Sequence, residues 1–269
     1  MKIGVLMKLT DVKERIPLAA QMGIHSCQLT CWDPSLYTDE NAKEILSLLK
    51  EYDMEISSFW AGWSGPRMWN FTEGPVTLGL VPSAFRYGRL QELKAGADFA
   101  KKLGVKQVIT HVGFMPENPH DPQYAGTVDA LRELAEYMKK NDQYFLFETG
   151  QETPVTLLRA INDIGTGNLG INLDTGNLIL YGKANPLDAL DVFGKYVMDL
   201  HVKDGLYPTD GWKLGREVAV GEGKADFPRI IAKLKELGYD GALTIEREIS
   251  GEQQIQDILR AKELLEKCI

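Results

Sequence analysis

The sequence predicts an α/β protein in which eight strand–helix units close into one (β/α)₈ TIM barrel, a single domain over residues 1–269. Three observations predict it. Short apolar runs alternate with segments of helical period from end to end, which demands a parallel sheet. No linker divides the chain, and a barrel of about 250 residues is an ordinary single domain. Four apolar runs also end on a metal-ligand residue type. Tyr144-Phe145-Leu146-Phe147 runs into Glu148, Gly170-Ile171-Asn172-Leu173 into Asp174, Val197-Met198-Asp199-Leu200 into His201, and Ala242-Leu243-Thr244-Ile245 into Glu246. A charged or imidazole side chain directly after a buried strand reads as one delivered to a site.

The elements follow in order. Strands are expected at 3–7, 26–30, 55–59, 107–111, 143–148, 169–174, 196–201 and 242–246. The first helix, 11–22, carries Val12, Ile16, Ala19 and Ala20 on one face and stops at Gly23. Thr38 caps a helix over 40–52 with Ile45, Leu48 and Leu49 as its buried stripe. Helices follow at 86–103 and 121–141. Thr153-Pro154 and Asn185-Pro186 each pair a cap with proline at the first helical position. The seventh helix is expected at 226–237. Ser250 to Gln253 has the form of a capping box before the last helix, whose buried face is Ile255, Ile258, Leu259, Ala261, Leu264 and Leu265. Two long loops interrupt the pattern. The segment 60–85 holds Trp60, Trp63 and Trp69 and reads as a lid or pocket wall, with a structural excursion as the alternative; 204–224 is the second.

Composition narrows the function. The formal charge is −8, a poor match for DNA or anionic membranes. Three cysteines, Cys27, Cys31 and Cys268, fit no zinc spacing and imply reduced thiols in a cytoplasmic protein. The first residues lack the pattern of a signal peptide, and no run approaches the roughly 20 apolar residues of a membrane span. No G-x-G-x-x-G turn follows the first strand, so a dinucleotide site is not expected; Gly221-Glu222-Gly223 is weak as a phosphate signal.

Barrel sites lie at the carboxyl ends of the strands. Glu148, Asp174, His201 and Glu246 end the fifth to eighth strands and so converge on one side of the mouth. Three converging carboxylates repel one another unless a cation lies between them. One imidazole with three carboxylates suits one divalent ion: manganese, magnesium or cobalt ahead of a thiolate-type zinc site.

The motifs Glu148-Thr149-Gly150-Gln151, Leu173-Asp174-Thr175-Gly176-Asn177, Leu200-His201-Val202-Lys203-Asp204, Val220-Gly221-Glu222-Gly223 and Thr244-Ile245-Glu246 resemble those of the xylose-isomerase-like TIM barrel superfamily. That superfamily of sugar phosphate isomerases and epimerases includes ketose 3-epimerases, inosose-processing enzymes and, more remotely, apurinic endonucleases. The resemblance implies that Glu148, Asp174, His201 and Glu246 bind one divalent ion, usually manganese, and that Glu148 and Glu246 double as acid and base. Ketose 3-epimerases carry histidine, arginine and glutamate where this chain has Asn177, Tyr207 and Pro154, which argues against a free ketohexose.

The expected activity is therefore a metal-dependent sugar or keto-sugar isomerase or epimerase, moving a proton through an enediolate between Glu148 and Glu246. The alternative is a lyase that dehydrates an inosose or cleaves a 3-keto-glycoside at the same site. A repair nuclease would need more histidines and a basic groove, and a binding-only barrel would not need two metal-bound carboxylates. Substrate-contact candidates are His111, Trp60, Lys203 and Arg247, each with a packing, surface or ion-pair alternative. Gln151 and Asn177 are candidates for holding the metal ligands. The expected partner is a small-molecule sugar, with neither nucleic acid nor membrane; a homo-oligomer is left open.

Overall fold

The computed structural model describes residues 1–269. Eight parallel strands close into a barrel. In chain order they are β1 (Lys2–Lys8), β2 (Ser26–Cys31), β3 (Glu55–Ala61), β4 (Gln107–Thr110), β5 (Tyr144–Glu148), β6 (Leu169–Asp174), β7 (Val197–Val202) and β10 (Ala242–Ile245). β10 pairs with both β7 and β1 and shuts the ring. The helices outside it are α1 (Val12–Gln21), α2 (Asp39–Glu51), α4 (Ser83–Lys102), α5 (Pro122–Lys140), α6 (Pro154–Ile164), α8 (Pro186–Phe193), α9 (Phe227–Glu236) and α10 (Glu252–Glu266). One cluster of 63 buried apolar residues joins helices to strands. No helix is long and apolar enough to cross a membrane.

Several caps form as the sequence implies. Thr38 Oγ1 accepts from Asn41 N at 3.1 Å and Asn185 Oδ1 from Leu187 N at 2.9 Å. Two differ. Thr153 caps no backbone amide; its hydroxyl pairs with that of Thr156 at 2.9 Å, although Pro154 does open α6. The capping box at Ser250 does not form. Gly251 is the N-cap at φ 85°, and Gln253 donates instead to Asp257 at 2.8 Å.

Three further features lie outside the expected strands and helices. The helix α3 (Gly74–Thr77) sits within 60–85. The helix α7 (Thr175–Leu180) starts directly on β6, because Asp174 Oδ1 accepts from Asn177 N at 2.7 Å and caps it. An antiparallel hairpin, β8 (Asp204–Leu206) with β9 (Arg216–Val218), occupies 204–224. Its base is held by buried Asp204, whose carboxylate accepts from the backbone of Gly205, Gly221, Gly223 and Ala225 at 2.8–3.0 Å. A side chain at Gly223 would strike that carboxylate, which explains the Val-Gly-Glu-Gly motif without a phosphate.

The tryptophan-bearing segment is tied down. The guanidinium of Arg89, 2% exposed, donates to the carbonyls of Ser64, Pro66, Thr77 and Gly79 at 2.7–3.1 Å and stacks on Trp63. Leu80 N donates to Val112 O at 2.7 Å, a close approach that Gly79 permits at φ 67°. Trp60 belongs to β3, Trp63 is buried, and Trp69 is 40% exposed.

Candidate metal centre

Parallel register brings the strand ends level. Glu148 lies opposite Asn172, Asp174 opposite His201, and Thr244 opposite His201. One ligand atom each from Glu148, Asp174, His201 and Glu246 lies within 4.8 Å of the others. From His201 Nδ1 the distances are 3.1 Å to Glu148 Oε1, 3.5 Å to Asp174 Oδ2 and 3.0 Å to Glu246 Oε2. Asp174 Oδ2, His201 Nδ1 and Glu246 Oε2 are buried without a hydrogen-bond partner. Buried polar atoms left so are costly.

The other nitrogen of His201 decides what the first can do. Nε2 sits 2.7 Å from Gln28 Oε1. The Gln28 amide nitrogen donates to Ser58 Oγ at 2.9 Å and to Asp199 Oδ2 at 3.4 Å, which fixes its oxygen toward the imidazole. Asp199 is in turn held by Ser57, Ser58 and the amide of Leu200. An amide oxygen only accepts, so Nε2 carries a proton, and in the neutral ring Nδ1 points its lone pair into the same space as the three carboxylate oxygens. Lone pairs converging on one point are satisfied by a cation.

The field agrees. Burial works against charge on His201, but Glu246 and Glu148 outweigh it and hold its pKa well above the ordinary value. Burial pushes the Glu148 carboxyl up, while His111 and His201 pull it below normal; for Glu246, Lys203 and His201 do the same. The cluster of Glu, Asp and His can therefore bind a metal ion: three oxygen donors and one imidazole fit a hard or borderline divalent ion.

The other candidates divide. Trp60 donates its indole N–H to Glu148 Oε2, and His111 Nε2 lies 3.4 Å from the same oxygen with Nδ1 unpartnered. Lys203 is buried, with Nζ 2.7 Å from Glu248, 3.5 Å from Glu246 and 3.7 Å from Asp174. Burial lowers its pKa and these carboxylates more than restore it, so it is a fixed cation. Arg247 lines the cavity, but its guanidinium is spent on Glu217 and Asp257, both at 2.9 Å, in the arrangement of a structural ion pair. Asn177 lines the cavity and touches Asp174 through its backbone N–H. Gln151 is 1% exposed, and neither end of its amide has a partner, so it holds no metal ligand by hydrogen bond.

The mouth opens into a cavity of about 700 Å³ walled by Trp32, Trp60, Trp69, Tyr181 and His111. Gln28, Asp199, Trp32 and Arg67 are the residues that strand-end reasoning missed. Gln28 carried a signal, since Ser26, Gln28 and Thr30 alternate with Cys27, Leu29 and Cys31, and the polar face of a strand buried along most of its length then needs polar partners.

This fold with this site defines a class, the (β/α)₈ barrels with a Glu–Asp–His–Glu cluster at the carboxyl ends of their strands. The profile of the Xylose isomerase-like TIM barrel family matches residues 16–268, and the chain belongs to that family. The crystal structure of a xylose isomerase domain protein from Planctomyces limnophilus superposes with a TM-score of 0.91 at 32% identity, covering 99% of this chain and 95% of that one. A D-tagatose 3-epimerase-like protein shares the fold with a TM-score of 0.77 at 23% identity, covering 99% and 96%. The uncharacterized protein MJ1311 of Methanocaldococcus jannaschii is 26% identical over 275 residues, covering 97% of this chain and 85% of its own.

Proposed function

We propose that this barrel is a divalent-metal-dependent isomerase or epimerase of a small sugar or keto-sugar. The observation that carries the reading is the set of buried, unpartnered acceptor atoms from Asp174, His201 and Glu246 converging beside Glu148. A divalent ion held by them, manganese first, supplies polarisation of a substrate carbonyl, which makes the neighbouring C–H acidic.

The chain's own residues do the rest. Glu246 lines the cavity and is 12% exposed, so it is the freer base. Glu148 is 3% exposed and held at its outer oxygen by the Trp60 N–H, so its position is fixed. The two carboxylates arrive from β5 and β10, with the ends of β6 and β7 between them. One removes a proton from one face of the carbon and the other returns a proton to the opposite face, which inverts the centre. The indole wall of Trp32 and Trp60 offers flat surface to the apolar face of a sugar ring. Lys203 keeps a positive charge beside Glu246 and Asp174 and favours their ionised forms.

Turnover of keto-sugars in D₂O tests the reading. An isomerase or epimerase of this kind gives product bearing deuterium at the carbon next to the carbonyl. Loss of a β-substituent, seen by mass, would mark the lyase alternative on the same residues. Product free of deuterium under multiple turnover would defeat the proton-transfer mechanism.

A further inference from the structure

The mouth of the barrel is electrostatically two-sided. The half built by β5, β6, β7 and β10 carries the acidic ligand cluster. The half built by β1, β2 and β3 carries Lys8 at the end of β1, Arg15 on α1 and Arg67 after β3, all lining the same cavity. None of these three cations forms an ion pair in a chain of net charge −8. Arg15 spends one N–H on Gln254 Oε1 at 3.1 Å; Lys8 and Arg67 spend none on any protein atom. One carboxylate on this half, Asp11, also lines the cavity and accepts from Thr10. Arg247 shows the contrast: lining the same cavity, it is paired with two carboxylates through Nε and Nη1.

Arg67 is placed rather than loose. Its guanidinium carbon lies 4.5 Å from the ring centre of Trp32, and Trp32 lies 4.6 Å from Trp60. Trp60 in turn holds Glu148. An unbroken line of rings therefore runs from Glu148 in the ligand cluster to a guanidinium with free donors. The residue before Arg67 is pinned as well, since Arg89 holds the Pro66 carbonyl at 2.8 Å. Stacking leaves the edge of a guanidinium open, which is the edge that pairs with an oxyanion.

We propose that the β1–β3 half is an anion subsite centred on Arg67, with Lys8 and Arg15 in support, and that the substrate is an acidic sugar. Its carbonyl end faces the ligand cluster and its carboxylate or phosphate ester faces Arg67. This deepens the sugar isomerase reading and rests on it for the chemistry. The binding claim is separable, because it concerns residues outside the ligand cluster.

The test is calorimetric binding to the protein as purified, with metal content measured in parallel and no turnover required. The probes are D-glucuronate, sorbitol 6-phosphate and neutral sorbitol, at low and high salt. One anion is expected to bind at least roughly tenfold more tightly than sorbitol, as a charge-assisted bidentate pair implies, with the advantage shrinking as salt rises. Arg67→Met removes that advantage at unchanged metal content, and Lys8→Met reduces it. Glucuronate as the tighter ligand assigns a carboxylate, sorbitol 6-phosphate a phosphate ester. Equal binding of all three probes overturns the inference, as does an anion preference that survives in Arg67→Met. Loss of metal or of turnover with the anion preference intact would strike the metal reading alone.

Discussion

His201 Nε2 lies 2.7 Å from Oε1 of Gln28, a bond that spans the barrel interior from β7 to β2. It settles which imidazole nitrogen faces the carboxylates. Gln28→Leu removes the acceptor and frees the tautomer. Metal affinity is expected to fall roughly 10- to 100-fold, the range for such supporting partners. Competition with a chelator measures it, and unchanged affinity would show that Gln28 only fills space.

Asp174→Asn and His201→Ala should each lose the ion while keeping the fold. Asn at 174 retains an oxygen to cap α7, the bond Asp174 now makes to Asn177 N. Elemental analysis and unfolding curves separate the two effects. A metal-free wild-type protein with full activity, indifferent to chelator, would end the metal reading.

Glu148→Gln and Glu246→Gln should each lower turnover by roughly 10²–10⁴-fold, as expected for an acid–base group. The structure makes the pair unequal. Both line the cavity, but Glu148 is anchored by Trp60 and 3% exposed whereas Glu246 is 12% exposed, so Glu148→Gln is the variant expected to keep washing deuterium into recovered substrate. Washout by neither variant would argue against independent action of the two carboxylates.

Much of this was legible in sequence because buried parallel strands are short apolar runs, and a carboxylate after such a run is conspicuous. Glu148, Asp174, His201 and Glu246 announce themselves that way. Gln28 and Asp199 do not, since their partners come from strands far apart in sequence: Gln28 to Ser58, Asp199 and His201. The short helix at Thr175 was hidden because its cap is Asp174, a residue already read as a ligand. The box at Ser250 misled because a motif states local preference, and Asp257 competes for Gln253.

Glu152 gives a pH prediction. It is 1% exposed, neither carboxylate oxygen has a partner, and burial pushes its pKa up to about 8. In the unfolded chain the group ionises near 4.5. Between these values the unfolded state binds fewer protons than the native state, so stability falls as pH rises from about 4.5 to about 8 and then levels. Glu152→Gln should flatten that slope and stabilise the protein by up to a few kcal/mol at pH 8. Parallel urea curves at pH 5 and pH 8 check it; an identical slope in both proteins would refute the burial argument.

Arg89→Met should cost about 2–4 kcal/mol, because four carbonyls lose a charged donor. It should also open residues 64–79 to protease while the barrel stays folded. Trp69, exposed above the cavity beside His111, is the tryptophan expected to report ligand binding by fluorescence; buried Trp63 is not.

Asp204 ties down both feet of the hairpin with one carboxylate, receiving Gly205 on one side and Gly221, Gly223 and Ala225 on the other. The tip between those feet carries Leu214 into the cavity wall and leaves Trp212 75% exposed. The hairpin is thus a socket with an interchangeable head. Residues 207–214 can be replaced in a library of lengths and compositions while the clamp is left untouched, which makes this tip the place to re-engineer what the barrel accepts.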